Sequence, residues 1–136
     1  MARDRKANGG QGMNWIRKEK RLAIYLRDGL ACCWCGATCE QDVMTLDHCT
    51  PHSLGGSNDA ANLITACRRC NSSRGTRSLA SFARSVADYL DHGIKADAIL
   101  AHIANCRRRR ISVSFARTLI TRRGGFLDAV QSQVNN

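Results

Sequence analysis

Apolar residues are spaced differently in successive parts of the chain, and each spacing predicts different elements. Residues 1–12 are polar and Gly-rich (Asn8-Gly9-Gly10-Gln11-Gly12), which reads as a disordered basic arm. From Trp15 to Arg27, Ile16, Ala23, Tyr25 and Leu26 alternate with Arg and Lys in an irregular helical pattern. That predicts a helix ended by Asp28-Gly29. Val43-Met44-Thr45-Leu46 is a short β-prone run leading into Asp47-His48. Pro51 to Asn58 reads as a loop, and Asn62 to Ala66 as a second strand. The polar run Arg68–Arg74 suits a helix, with Gly75 as its stop. Strand, loop, strand and helix make a ββα unit.

Beyond residue 76 the period becomes helical. Leu79, Phe82, Val86 and Leu90 share one face of a helix over 78–90, ended by His92-Gly93. A second helix runs from Ala96 to Cys106, with Ile99, His102 and Ile103 at helical spacing. A third spans Ser112 to Arg122 and stops at Gly124-Gly125. The expected class is α+β: a small ββα unit stapled by metal, flanked by an N-terminal helix and a C-terminal helical extension. Its divisions are an arm over 1–12, a core over 13–76 and a basic helical part over 77–136. No internal repeat is visible.

Charge narrows the partner. The 136 residues carry 21 Lys+Arg against 11 Asp+Glu, a formal net charge of +10. Such an excess favours a polyanion, most simply nucleic acid; the plainer alternative is a soluble basic protein with dispersed charge. The start Met-Ala-Arg-Asp-Arg-Lys has no apolar signal region, and no window approaches a membrane span. The expectation is therefore a cytoplasmic chain with no membrane partner and reduced thiols.

Against that background the eight cysteines point to metal and away from a disulfide scaffold. Cys32 and Cys35 form one Cys-x-x-Cys pair, Cys67 and Cys70 another, with 31 residues between them. A two-residue spacer lets both sulfurs of a pair face one point, and zinc takes four thiolates in a tetrahedron. With no open position that Zn²⁺ is structural. Gly36 supplies backbone freedom for the first turn. Cys33 follows a committed neighbour and points elsewhere. With Cys39, Cys49 and Cys106 it is read as a small buried thiol and not as part of a second ligand set.

Asp47-His48, the loop with Gly55-Gly56-Ser57, Asn62-Leu63 and Cys67-x-x-Cys70-Asn71 together resemble an HNH endonuclease of the zinc-stabilised ββα-metal type. The resemblance covers roughly residues 20 to 76. It implies phosphodiester hydrolysis with His48, matching the first motif His, as general base. Asp47 would point the opposite way off the strand and hold a divalent cation, with Asn71 at the final motif position as second ligand. Asn62 matches the middle Asn, which in the family braces the loop and orients the base. The final position is often His. Asn71 in its place makes an oxygen pair that favours Mg²⁺ or Mn²⁺. The alternative is a non-catalytic zinc-stapled DNA-binding module, which has no need of Asp47, His48 and Asn71 together. His52 is read either as a phosphate contact or as a solvated loop residue, and His92 and His102 as surface or packing histidines.

Two arginine groups complete the expectation of double-stranded DNA as partner. Arg68, Arg69, Arg74 and Arg77 cluster around Asn71, and guanidinium groups bind phosphate bidentately. Arg107, Arg108, Arg109 and Arg110, followed by Arg117, Arg122 and Arg123, form a block with no acid between Asn105 and Gly125. That reads as a track for a phosphate backbone, the alternative being a solvated helix face. No aromatic platform accompanies it, so single-strand stacking is not expected. A short nuclease of this kind suits a phage or mobile element by association only. Sequence preference, nicking against double-strand cleavage and oligomeric state are not encoded legibly.

Overall fold

A computed structural model of the chain describes residues 15–90 and 93–134; the expected arm over 1–12 and His92 lie outside the described residues. Strands β1 (Met44–His48) and β2 (Leu63–Cys67) pair antiparallel, with His48 opposite Leu63 and Met44 opposite Cys67. All five residues of β2 are buried, which accounts for its unbroken small and apolar run. In β1, Met44 and Leu46 face the core and Thr45 and His48 are half-buried. Asp47 departs from alternation: it is a buried carboxylate. Cys67 ends β2 and caps α2 (Arg68–Arg74), its Sγ accepting from the Cys70 N–H. Helix α2 stops at Gly75, where φ is +57°.

Helix α1 (Lys18–Arg27) is packed on two sides, which explains its irregular pattern. Ile24 and Tyr25 join the main core with the first cysteine turn and the sheet. Leu22 and Ala23 join a second cluster with Ala116, Leu119 and Ile120. A buried ion pair fixes the register of α1 on β2. Arg27 Nε donates to Asp28 Oδ1 at 2.7 Å, and its Nη2 donates to the Leu63 carbonyl at 2.6 Å. Asp28 Oδ2 accepts from the Thr65 N–H at 2.9 Å. Leu30, at φ +58°, then turns the chain into the cysteine hairpin, at a strain of about 1–2 kcal/mol for a side-chain-bearing residue.

Helices α3 (Leu79–Leu90), α4 (Ala96–Arg108), α5 (Val113–Arg123) and α6 (Phe126–Val134) follow. Phe82, Ala83 and Val86 of α3 and Ile99, Ile103 and Cys106 of α4 belong to the same core as Trp34, Leu46 and Ile64. Packing is thus continuous across residues 76 and 77. Helix α6 was not expected from the pattern. It is nine residues long, with Ala129 fully buried and Phe126 and Val130 half-buried against the core at helical spacing. No described helix is long and apolar enough to cross a membrane.

Candidate active site and metal cluster

The cysteine turns close on one another. The sulfurs of Cys32, Cys35, Cys67 and Cys70 all lie within 4.8 Å of each other. Cys35 Sγ and Cys67 Sγ are 3.8 Å apart. Tetrahedral Zn–S bonds of about 2.3 Å require S–S distances of about 3.8 Å, so the cluster can hold a zinc ion. Its backbone is arranged for thiolates. The N–H groups of Trp34 and Cys35 donate to Cys32 Sγ at 3.3 and 3.4 Å, and that of Cys70 to Cys67 Sγ at 3.4 Å. A hydrogen bond from the Cys70 thiol is the main cause that brings Cys32 down to about 5, while burial pushes Cys67 up to about 11.

On the loop side of β1 stands His48. Its Nε2 is 2.8 Å from Asn58 Oδ1. An amide oxygen only accepts, so Nε2 carries the proton and Nδ1 keeps its lone pair. Trp15 packs on the imidazole with ring centroids 4.8 Å apart, and His52 lies 5.7 Å away. Asn58 is in turn held by Lys20 Nζ, which donates to its carbonyl at 2.8 Å. Asn62 ties down the whole loop. Its Oδ1 accepts from the Thr50 N–H at 2.9 Å, and its Nδ2 donates to the Thr50 and Ser57 carbonyls at 3.1 and 2.8 Å. Gly56 is required where the loop folds back, because a Cβ there would lie 1.8 Å from the Thr50 oxygen. Asn58, Trp15 and Lys20 escaped the sequence reading; only the position of Asn58 in the loop before Asn62 hinted at it.

The opposite side of β1 is closed. Asp47 Oδ1 accepts from Arg74 Nη1 at 2.7 Å, and Oδ2 from Trp34 Nε1 at 3.0 Å. Burial raises the Asp47 carboxyl above its usual value, against the opposing influence of Arg74 and Trp34. Arg74 also donates to the carbonyls of His48 and Cys49 at 2.7 and 2.8 Å. At 1% exposure it cannot serve as the phosphate-binding residue expected of it; it clamps the end of β1. Asn71 Nδ2 donates to Thr45 Oγ1 at 2.9 Å and to the Leu46 carbonyl at 3.1 Å. Its Oδ1 accepts no hydrogen bond from the described residues.

The other arginines divide by what already holds them. Arg68 and Arg69 are exposed on α2, Arg69 facing Asp42 at 3.7 Å. Arg77 donates to Ser85 Oγ and the Ser73 carbonyl and lies 4.9 Å over Phe82, joining α2 to α3. Arg107 Nε donates to the Ala61 carbonyl at 2.6 Å, and Arg109 reaches the Arg27 carbonyl at 3.4 Å. Arg107 thus ties α4 to the chain beside Asn62, and Arg109, just past α4, ties to the end of α1. Arg108 pairs with Asn105, and Arg110 is exposed. Among the remaining cysteines, Cys39 donates to the Leu30 carbonyl and Cys49 is a buried thiol pushed up to about 11 by burial. Cys33 and Cys106 are buried thiols, as the sequence reading has them, and tertiary packing also brings them within 4.8 Å of each other and of His102.

Comparison with known proteins agrees with this geometry. Residues 32–87 match the HNH endonuclease family. Over 65 residues the chain is 39% identical to the CRISPR-associated endonuclease Cas9 of Actinomyces naeslundii, a stretch that is 47% of this chain and 6% of that protein. The chain therefore spans a small part of that relative. No solved structure matches it. The segment that carries the two cysteine turns, the paired strands and α2 is thus the part of the chain that is similar to the HNH endonuclease family.

Proposed function

We propose that the chain is a metal-dependent endonuclease that hydrolyses phosphodiester bonds in double-stranded DNA. The observation that carries the proposal is His48 held through Nε2 by Asn58, which leaves Nδ1 as the proton acceptor. In this reading Nδ1 takes a proton from the attacking water. Asn58 keeps the ring in the productive tautomer, and Asn62 and Gly56 keep Asn58 in place. Loss of such a base typically costs about 10²–10⁴ in rate.

The donors suit a hard divalent ion, Mg²⁺ or Mn²⁺. Asn71 offers an uncommitted Oδ1, and each Asp47 oxygen retains lone-pair capacity beyond the single hydrogen bond it accepts. When bound, the ion supplies charge stabilisation at the phosphate. Arg68, exposed on α2, and Arg69, whose contact with Asp42 at 3.7 Å is at the surface, are the guanidinium groups that would meet the DNA backbone near Asn71.

The test is incubation with supercoiled plasmid, with Mg²⁺ and with chelator, beside the His48→Ala variant. The expected outcome is Mg²⁺-dependent relaxation or linearisation that His48→Ala loses while keeping its DNA affinity. A wild-type chain that binds DNA but never cleaves it would establish the non-catalytic module instead.

A further inference from the structure

Cys33, in the first cysteine turn, is not one of the four clustered sulfurs. Its Sγ meets Cys106 Sγ at 3.9 Å, and Cys106 Sγ meets His102 Nε2 at 3.6 Å. All three ligand atoms lie within 4.8 Å of one another. His102 and Cys106 are four residues apart on α4, so one helix face presents both. Bonds of about 2.3 Å to sulfur and about 2.05 Å to imidazole, at tetrahedral angles, put two sulfurs about 3.8 Å apart and sulfur and nitrogen about 3.6 Å apart. The Cys33–Cys106 and Cys106–His102 separations, 3.9 and 3.6 Å, match these, and the third pair lies within 4.8 Å.

We propose that Cys33, His102 and Cys106 form a second metal site that takes one zinc-like, thiophilic divalent cation and fastens α4 to the cysteine turn. Both sulfurs are buried while His102 is exposed. Three protein donors leave a fourth position for water on the solvent side. Charge balances without a further partner. Two thiolates neutralise the cation, and the adjacent buried carboxylate of Asp28 is already neutralised by Arg27 at 2.7 Å. The site also gives a use to two cysteines that the four-sulfur cluster leaves over. Without a cation, the two buried sulfurs offer each other only a weak S–H contact, with the Asp28 carboxylate and His102 as further partners for Cys106. The inference is independent of the catalytic reading, since a metal fastener here requires no nuclease activity.

The experiment is a zinc count on the reduced full-length chain, by elemental analysis and by titration against a competing chelator. Wild type should bind two equivalents. His102→Ala and Cys106→Ser should each bind one, with unchanged far-ultraviolet circular dichroism. His102 is exposed, so its variant keeps the test decisive if Cys106→Ser fails to fold. In the cobalt-substituted protein, the visible spectrum should lose a mixed sulfur–nitrogen component in His102→Ala and keep the four-sulfur one. One equivalent in reduced wild type, or a second equivalent that survives His102→Ala unweakened, overturns the proposal. So does a Cys33–Cys106 disulfide that persists in the reduced chain with a single zinc bound.

Discussion

Asp47 and His48 are neighbours on one strand, yet the two sides of β1 are built on opposite principles. The Asp47 side is buried and crowded: the carboxylate accepts from a guanidinium and an indole N–H, and Arg74 also holds the carbonyls of His48 and Cys49. The His48 side is a half-open loop in which one imidazole leans on Trp15 and on a single amide oxygen. The lesson is that His48, in the role proposed for it, keeps few partners because a base needs a free nitrogen. Its neighbour has many because a buried charge cannot be left alone.

The largest expected effect lies on the closed side. Arg74→Ala strands a buried carboxylate and the carbonyls of His48, Cys49 and Arg77, and should cost about 3–5 kcal/mol of stability, read by denaturant unfolding. A loss under 1 kcal/mol would mean that the pair is looser than its geometry. The paired replacement Asp47→Leu with Arg74→Met should recover much of the loss, since an apolar pair of similar volume removes both charges. It should not recover cleavage.

On the open side the expected signature is reversed. His48→Ala should lower the cleavage rate by about 10²–10⁴ and leave the unfolding midpoint nearly unchanged. If both fall together, His48 is part of the scaffold and the contrast between the two sides collapses. Gly56→Ala tests whether the loop is as tightly folded as Asn62 implies. With a Cβ 1.8 Å from the Thr50 oxygen, the loop must open, at a cost of about 1–3 kcal/mol by analogy with overpacking. Activity should drop with it.

Asn58→Ala removes one hydrogen bond worth about 1 kcal/mol, so kcat should fall about fivefold. Asn58→Asp should retain the ring's orientation but move the acid limb of the pH–rate profile upward, because a carboxylate would face the imidazole. A purely structural asparagine would leave that limb where it is. The smallest effect is expected from Arg108→Ala with Arg110→Ala. If both contact duplex DNA, the slope of log K against log salt should flatten by about 0.9 for each, with cleavage at saturating DNA unaltered. An unchanged slope would assign them to the solvated surface. Arg107→Ala should behave differently and destabilise the fold, because its guanidinium already holds Ala61.

Several elements were legible before any coordinates. The cysteine spacing specifies a metal cluster, since two Cys-x-x-Cys turns have one economical way to meet. The order Asp47-His48, Asn62, Cys67-x-x-Cys70-Asn71 on a strand–loop–strand–helix pattern carries the resemblance to the HNH endonuclease family that residues 32–87 also show, because local period and turn residues are sequence properties. Helices α3, α4 and α5 announced themselves by an apolar stripe or a clear stop. Helix α6, with one fully buried residue, did not.

Charge was legible only as a total. The sequence determined a net charge of +10, but not which arginines are free to use it. Arg21, Arg27 and Arg74 are buried, and Arg107 and Arg109 are occupied by main-chain carbonyls. A guanidinium has the same composition in an ion pair, on a carbonyl or in water. Its role depends on which acceptors the folded chain brings within 3 Å or so, often from 25 to 80 positions away. The same holds for Cys33, His102 and Cys106, and for Asn58 against His48. Local spacing determined what the chain itself repeats or pairs nearby. Tertiary packing alone decided which distant groups became partners, because no period in the sequence encodes a contact made across the core.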